Sequence, residues 1–129
     1  MSKNVMRDIK FRGLSEKGKW HYGWYCVNDF DEPTIFSVDG AWKVLIESVG
    51  QFTGLKDKNS KKIYEGDLLR EWIVEEHPSD LIYKVGFDMG HFTLTDIKSG
   101  YDRMGIWNVY NNLEVIGNIY ENPQLGNNQ

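Results

Sequence analysis

VGQFTGLKDKNSKKIYEGDLLR, residues Val49 to Arg70, is the stretch from which the fold of this chain is read. Gln51-Phe52-Thr53 is β-like, Gly54 marks a bend, and Lys56 to Lys62 (KDKNSKK) makes a polar hairpin tip. Ile63-Tyr64 re-enter regular structure, and Glu65-Gly66-Asp67 then turns sharply into the apolar run that begins at Leu68. A glycine between two carboxylates suits a bend that needs positive φ. Glu65, Gly66 and Asp67 are therefore expected to form a structural turn, with Asp67 accepting hydrogen bonds from backbone amides.

Upstream, Met6 to Arg12 alternates as a strand, with Ile9 and Phe11 on one side and Lys10 and Arg12 on the exposed side. Gly13 to Gly18 carries turn signals, and Trp20 to Val27 returns with Trp20, Tyr22, Trp24 and Cys26 on one strongly aromatic face, read as buried. Asn28 to Pro33 is an acidic loop. Thr34 to Val38 and Trp42 to Ile46 read as strands joined at Asp39-Gly40, the clearest short hairpin signal in the chain. Downstream, Leu68 to Glu75 is a strand with Leu68, Trp72 and Val74 inside and Arg70 outside. Glu75 to Asp80 is a loop in which Pro78 bars a continuing ladder. Leu81, Tyr83, Val85 and Phe87 alternate cleanly, and His91 to Ile97 returns with Phe92 and Leu94 inward. Met104 to Tyr110 permits one short, weak helix, and Leu113 to Tyr120 is the last strand, stopped by Asn122-Pro123. Many short strands with at most one helix form sandwiches or small barrels, because closing a sheet removes its edges.

The chain of 129 residues is long enough for one domain, or for two small subdomains sharing a core, without a metal or disulfide. Thirteen glycines against three prolines point to many turns. A net charge of -4 and a pI near 5.3 disfavour non-specific binding to phosphate backbones. The single Cys26 excludes an internal disulfide framework and fits a reducing cytoplasm. No run has the length of a membrane-spanning helix, so a soluble, cytoplasmic protein with no membrane contact is expected.

The catalytic and metal signals are weak. His21, His77, His91 and Cys26 have no spacing that places two ligands on one face, so no metal site is expected. Cys26 sits mid-strand among aromatics and reads as a buried apolar group rather than a nucleophile, with the histidines solvated. Glu65 with Asp67, and Glu75-Glu76-His77, are the carboxylate clusters an enzyme would draw on, but a turn and a solvated loop account for them. No catalytic residue and no cofactor is assigned. Lys56, Lys58, Lys61 and Lys62 gather at one hairpin tip, offset by Asp57, and are the candidate nucleic-acid contact, although the net charge weighs against it. Five tryptophans and seven tyrosines exceed what a small core needs, and alternation does not settle whether Trp42, Trp107 and Tyr120 lie inside. An exposed aromatic patch would mark a protein partner or self-association surface.

Three blocks carry a family resemblance: Met6 to Arg12 with Trp20 and Tyr22-Gly23, then Val49 to Arg70, then Glu114 to Pro123. On them the chain resembles the YopX family of phage and prophage proteins, over residues 6 to 125. The resemblance implies a mainly β fold: a small SH3-type barrel at about residues 63–123, packed with an N-terminal β-hairpin layer at 6–54, between tails at 1–5 and 126–129. It implies phage or prophage origin and brings no biochemical activity. Two departures stand out. Family members usually begin at the methionine matching Met6, and many carry Asn-Gly where this chain has Asn59-Ser60, so a looser tip than a type I′ turn is expected. The function expected is thus a non-enzymatic protein-interaction module. A lysine-tip nucleic-acid binder is the alternative, and a small carboxylate enzyme the remote one.

Overall fold

The computed structural model describes residues 9–74, 77–103 and 112–126. The protein is mainly β and divides into two compact units, residues 1–54 and 55–129.

The first unit holds β1 (Phe11–Leu14), β2 (Trp20–Val27), β3 (Pro33–Ser37), β4 (Gly40–Lys43) and most of β5 (Gly50–Lys56), in the antiparallel order β4-β3-β2-β1-β5. Its turns follow from local chemistry. Gly18, at φ +83°, closes the β1–β2 hairpin, in which Ser15 N–H donates to Lys19 O. In the acidic loop, Asn28 Oδ1 accepts from the amides of Phe30 and Glu32, an Asx turn that holds the chain while Asp31 takes φ +61°. The β3–β4 hairpin turns on Val38 and Asp39, and Gly40 already belongs to β4. The strand expected to reach Ile46 ends at Lys43 and is followed by a 3-10 turn, Ile46–Ser48. Buried Ser48 ties this crossing to β1, accepting from Leu14 N–H and donating to Leu45 O.

On β2 the exposed and buried faces are the reverse of the sequence reading. Arg12, expected outside, shares the Tyr22 face by register and is nonetheless buried, with its guanidinium 4.4 Å from the Trp20 ring centroid. His21, expected in solvent, is buried, and Cys26, expected inside, is exposed. The cause lies on β1. Gly13 pairs with His21, and a Cβ at Gly13 would stand 2.7 Å from Val44 Cγ2. The missing side chain lets the segment after β4 cover the His21 side of the sheet, so the Tyr22–Trp24–Cys26 side is left out.

The second unit begins with the end of β5 and continues through β6 (Lys62–Tyr64), β7 (Asp67–Val74), β8 (His77–Asp88), β9 (His91–Asp96), β10 (Asp102–Arg103), β11 (Leu113–Asn118) and the short α1 (Pro123–Gly126). Its five-stranded antiparallel sheet runs β10-β9-β8-β7-β11. A meander whose last strand returns beside its first is the strand order of a small SH3-type barrel. The core gathers Ile63, Leu69, Tyr83, Val85, Leu94 and Leu113, with Leu55, Phe92 and Val115 packed against it. Register explains the set: Tyr83 and Val115 both pair with Leu69, and Val85 pairs with Leu94. Leu81 and Phe87, read as inward, are exposed: Phe87 lies near the end of β8, and Leu81 lies in the register shift between Pro78 and Ile82. The expected Glu75–Asp80 loop is shorter than read, because β8 resumes at His77 and Pro78 pairs with Trp72. Register shifts on either side of Trp72 accommodate a residue that cannot donate to a ladder. The helix read at Met104–Tyr110, together with Trp107, Glu75 and Glu76, lies outside the described residues.

Candidate functional site

Glu65-Gly66-Asp67 is a turn built from the backbone outward. Gly66 has φ +95°, its N–H donates to Val85 O, and its carbonyl accepts from Ile119 N–H. A Cβ there would lie 2.8 Å from Tyr120 Cε2. Asp67 is buried and its Oδ2 accepts from Tyr64 N–H at 2.7 Å, the amide capture expected of it. Tyr120 is half-buried against this glycine.

The lysine-rich tip is more ordered than its composition suggests. Asp57 N–H donates to Lys61 O, Ser60 N–H donates to Asp57 O, and Ser60 takes φ +66°. The turn is longer than type I′, as expected from Asn59-Ser60, but Ser60 itself takes the positive φ that the expectation rested on a serine avoiding. The Asp57 carboxylate points inward: Oδ1 accepts from Asn59 and Lys61 amides at 2.8 and 2.9 Å, and Oδ2 accepts from Val115 N–H at 2.8 Å. A side chain read only as charge offset at the tip thus helps fasten the tip to β11, together with Lys58 N–H, which donates to Leu113 O. The lysines do not act as one group. Lys58 Nζ lies 4.0 Å from the centroid of Trp72, whose Nε1–H donates to Glu114 Oε1. Lys56 and Lys61 are exposed, and Lys62 is half-buried.

No group of three or more His, Cys, Asp or Glu side chains is placed to hold a metal ion among the described residues. Nδ1 of His91 lies 3.3 Å from Met89 O on an exposed turn. His77 begins β8.

The first unit presents an aromatic surface. Trp24 pairs with Phe36, which pairs with Ala41, so the three lie in one row across β2, β3 and β4. Tyr22 stands two residues along β2 on the same face. Trp24 is 65% exposed, Tyr22 45% and Phe36 38%. All of β4 is exposed, at the edge of the sheet. On the other face, the Trp42 indole stacks on His21 with centroids 4.6 Å apart and planes 12° apart. Burial first, and the Lys19 charge second, hold the His21 pKa below its ordinary value, while Asp39 pulls the other way. Sequence reading missed this pair because the two residues lie on strands separated in the sheet by β3. The period of the strands was the available signal for the exposed row, and it left the choice of face open.

Two small antiparallel units, one with an uncovered aromatic row and the other an SH3-type meander, define the class: a mainly β protein of two small sheets. The chain belongs to the YopX family; the family model described as YopX protein matches residues 3–125. No curated protein matches it. Its fold is similar to the crystal structure of protein EF1440 from Enterococcus faecalis, with a TM-score of 0.59 and 23% identity over 93% of this chain and 99% of that one.

Proposed function

We propose that this chain is a phage- or prophage-encoded accessory protein of the bacterial cytoplasm, a non-enzymatic interaction module that associates with a second copy of itself through the Tyr22–Trp24–Phe36–Ala41 face. The observation that carries the reading is the exposure of Trp24 and Phe36 in one cross-strand row, with Tyr22 on the same face, beside an exposed edge strand. Trp24, Phe36 and Ala41 carry no charge, and Arg12, which pairs with Tyr22, is buried beside Trp20, so a two-fold related copy meets an uncharged row. Large exposed aromatics are what an association surface is made of, and an edge strand adds free backbone groups to it. Light scattering over a concentration series tests it. The expected result is a dimer that Trp24→Ser and Phe36→Ser convert to monomer, with circular dichroism unchanged. A monomer at every concentration, or a dimer indifferent to both substitutions, overturns it.

A second reading has one observation behind it. With Asp57 turned inward, Lys56 and Lys61 face solvent on a hydrogen-bonded tip, a geometry that suits contact with a nucleic-acid backbone. Against it stand the net charge of -4 and the engagement of Lys58 with Trp72. Mobility shifts across a salt series with Lys56→Glu and Lys61→Glu decide between the two. Binding that steepens with falling salt and is lost in both variants favours the nucleic-acid reading.

A further inference from the structure

The first unit contains a cleft of about 540 Å³. His21, Trp42, Pro33, Val44 and Leu45 shape its interior, and every residue lining it belongs to that unit. Its volume lies within the range of small-molecule sites.

Three features define what it would take. The first is a flat wall. Trp42 and His21 are stacked, and Trp42 remains 38% exposed, so aromatic surface is still uncovered. A planar ring gains most against such a surface, by offset stacking. The second is hydrogen-bonding capacity held in reserve. His21 is 9% exposed, yet no described residue donates to or accepts from its ring nitrogens, and neither nitrogen is sealed from solvent. A neutral imidazole offers one donor and one acceptor. Lining an otherwise apolar interior, these groups have a ligand or water as their partner. The third is charge balance at the mouth. Lys17, Lys19 and Lys43 are matched by Glu16, Asp31 and Glu32, and Lys43 Nζ is 3.3 Å from Glu32 Oε2. An ionic ligand finds no excess charge there.

We propose that this cleft binds an uncharged, planar nitrogen heteroaromatic ring of nucleobase type, lying beside His21 and hydrogen-bonded to its imidazole in plane, and stacked on the part of the Trp42 indole that His21 leaves uncovered. A free base and its nucleoside present the same ring, and titration with each separates the two sources.

Titration of the full chain with adenine, adenosine, adenosine monophosphate and benzoate, followed by NMR of the His21 ring and the Trp42 indole N–H, tests the proposal. Saturable shifts of both resonances by adenine or adenosine are expected, with benzoate inactive; adenine without adenosine would identify the free base as the source. His21→Phe keeps an aromatic against Trp42 and removes both hydrogen-bonding nitrogens, so affinity should fall about ten-fold while the fold persists. Trp42→Leu should abolish binding. Absence of saturable shifts at low-millimolar ligand overturns the proposal. So does binding by the monophosphate or benzoate alone, or undiminished affinity in folded His21→Phe. The Tyr22–Trp24–Phe36 face is not involved, so this result and the association result stand independently.

Discussion

Replacement of Asp57 should cost more stability than any other change at the hairpin tip. The carboxylate is 6% exposed and takes three backbone amides: Asn59 and Lys61 beside it in sequence, and Val115 fifty-eight positions away on β11. In Asp57→Ala, the Asn59 and Lys61 amides lie on an exposed tip and can turn to water, at about 0.5 kcal/mol each. The Val115 amide lies within β11 and loses a charge-assisted bond, at about 2 to 3 kcal/mol. The sum is about 3 to 4 kcal/mol, a large share of the 5–15 kcal/mol typical of a small protein. Asp57→Asn keeps one acceptor oxygen, so one side of the clamp must fail, and the cost should be about half. Urea unfolding followed by tryptophan fluorescence reads both variants. The order wild type, Asn, Ala in midpoint supports the clamp, with protection of the Val115 amide lost first in hydrogen exchange. An Ala variant within about 0.5 kcal/mol of wild type would refute it, because surface substitutions away from any anchoring contact cost no more than that.

Gly66→Val places a β-branched residue at φ +95° with its Cβ 2.8 Å from Tyr120, and should cost about 2 kcal/mol or more in the same unfolding assay. Gly23→Ala sets a methyl 2.1 Å from Phe36 O; the neighbour is backbone and cannot swing away, so β2 and β3 must part, with raised hydrogen exchange along both strands. For His21, burial and Lys19 hold the folded pKa below 6.5, opposed by Asp39, so the unfolded chain takes up a proton first as pH falls. Its contribution to stability is therefore complete above about pH 6.5 and disappears as pH drops through the lowered folded value. The difference in unfolding midpoint between wild type and His21→Phe should change across that window and be level above it.

The parts of the fold legible in the sequence are those where one residue type permits one backbone state. Gly66 between carboxylates announced a positive φ, whereas Ser60 takes a positive φ that a serine does not announce. The β3–β4 and β8–β9 hairpins followed from alternation and turn residues, and Tyr83, Val85 and Leu94 are buried as their period required. Face assignment in the first unit was not legible. Alternation separates Trp24 from Tyr25, but it does not say which side the chain after β4 will cover. That choice depends on Gly13 making room for Val44, a contact between residues thirty-one positions apart. The same limit hid the Trp42–His21 stack and the inward turn of Asp57, because each partner comes from a different strand. The aromatic excess was visible as composition, and only the tertiary arrangement places Tyr22, Trp24 and Phe36 together in solvent.

The association claim is tested most directly by mapping amide chemical shifts of the full chain as its concentration is raised. Shifts that grow with concentration and centre on Tyr22, Trp24, Phe36 and Ala41 are the predicted result. Shifts centred on the Lys56–Lys62 tip, or none over the accessible range, would contradict it.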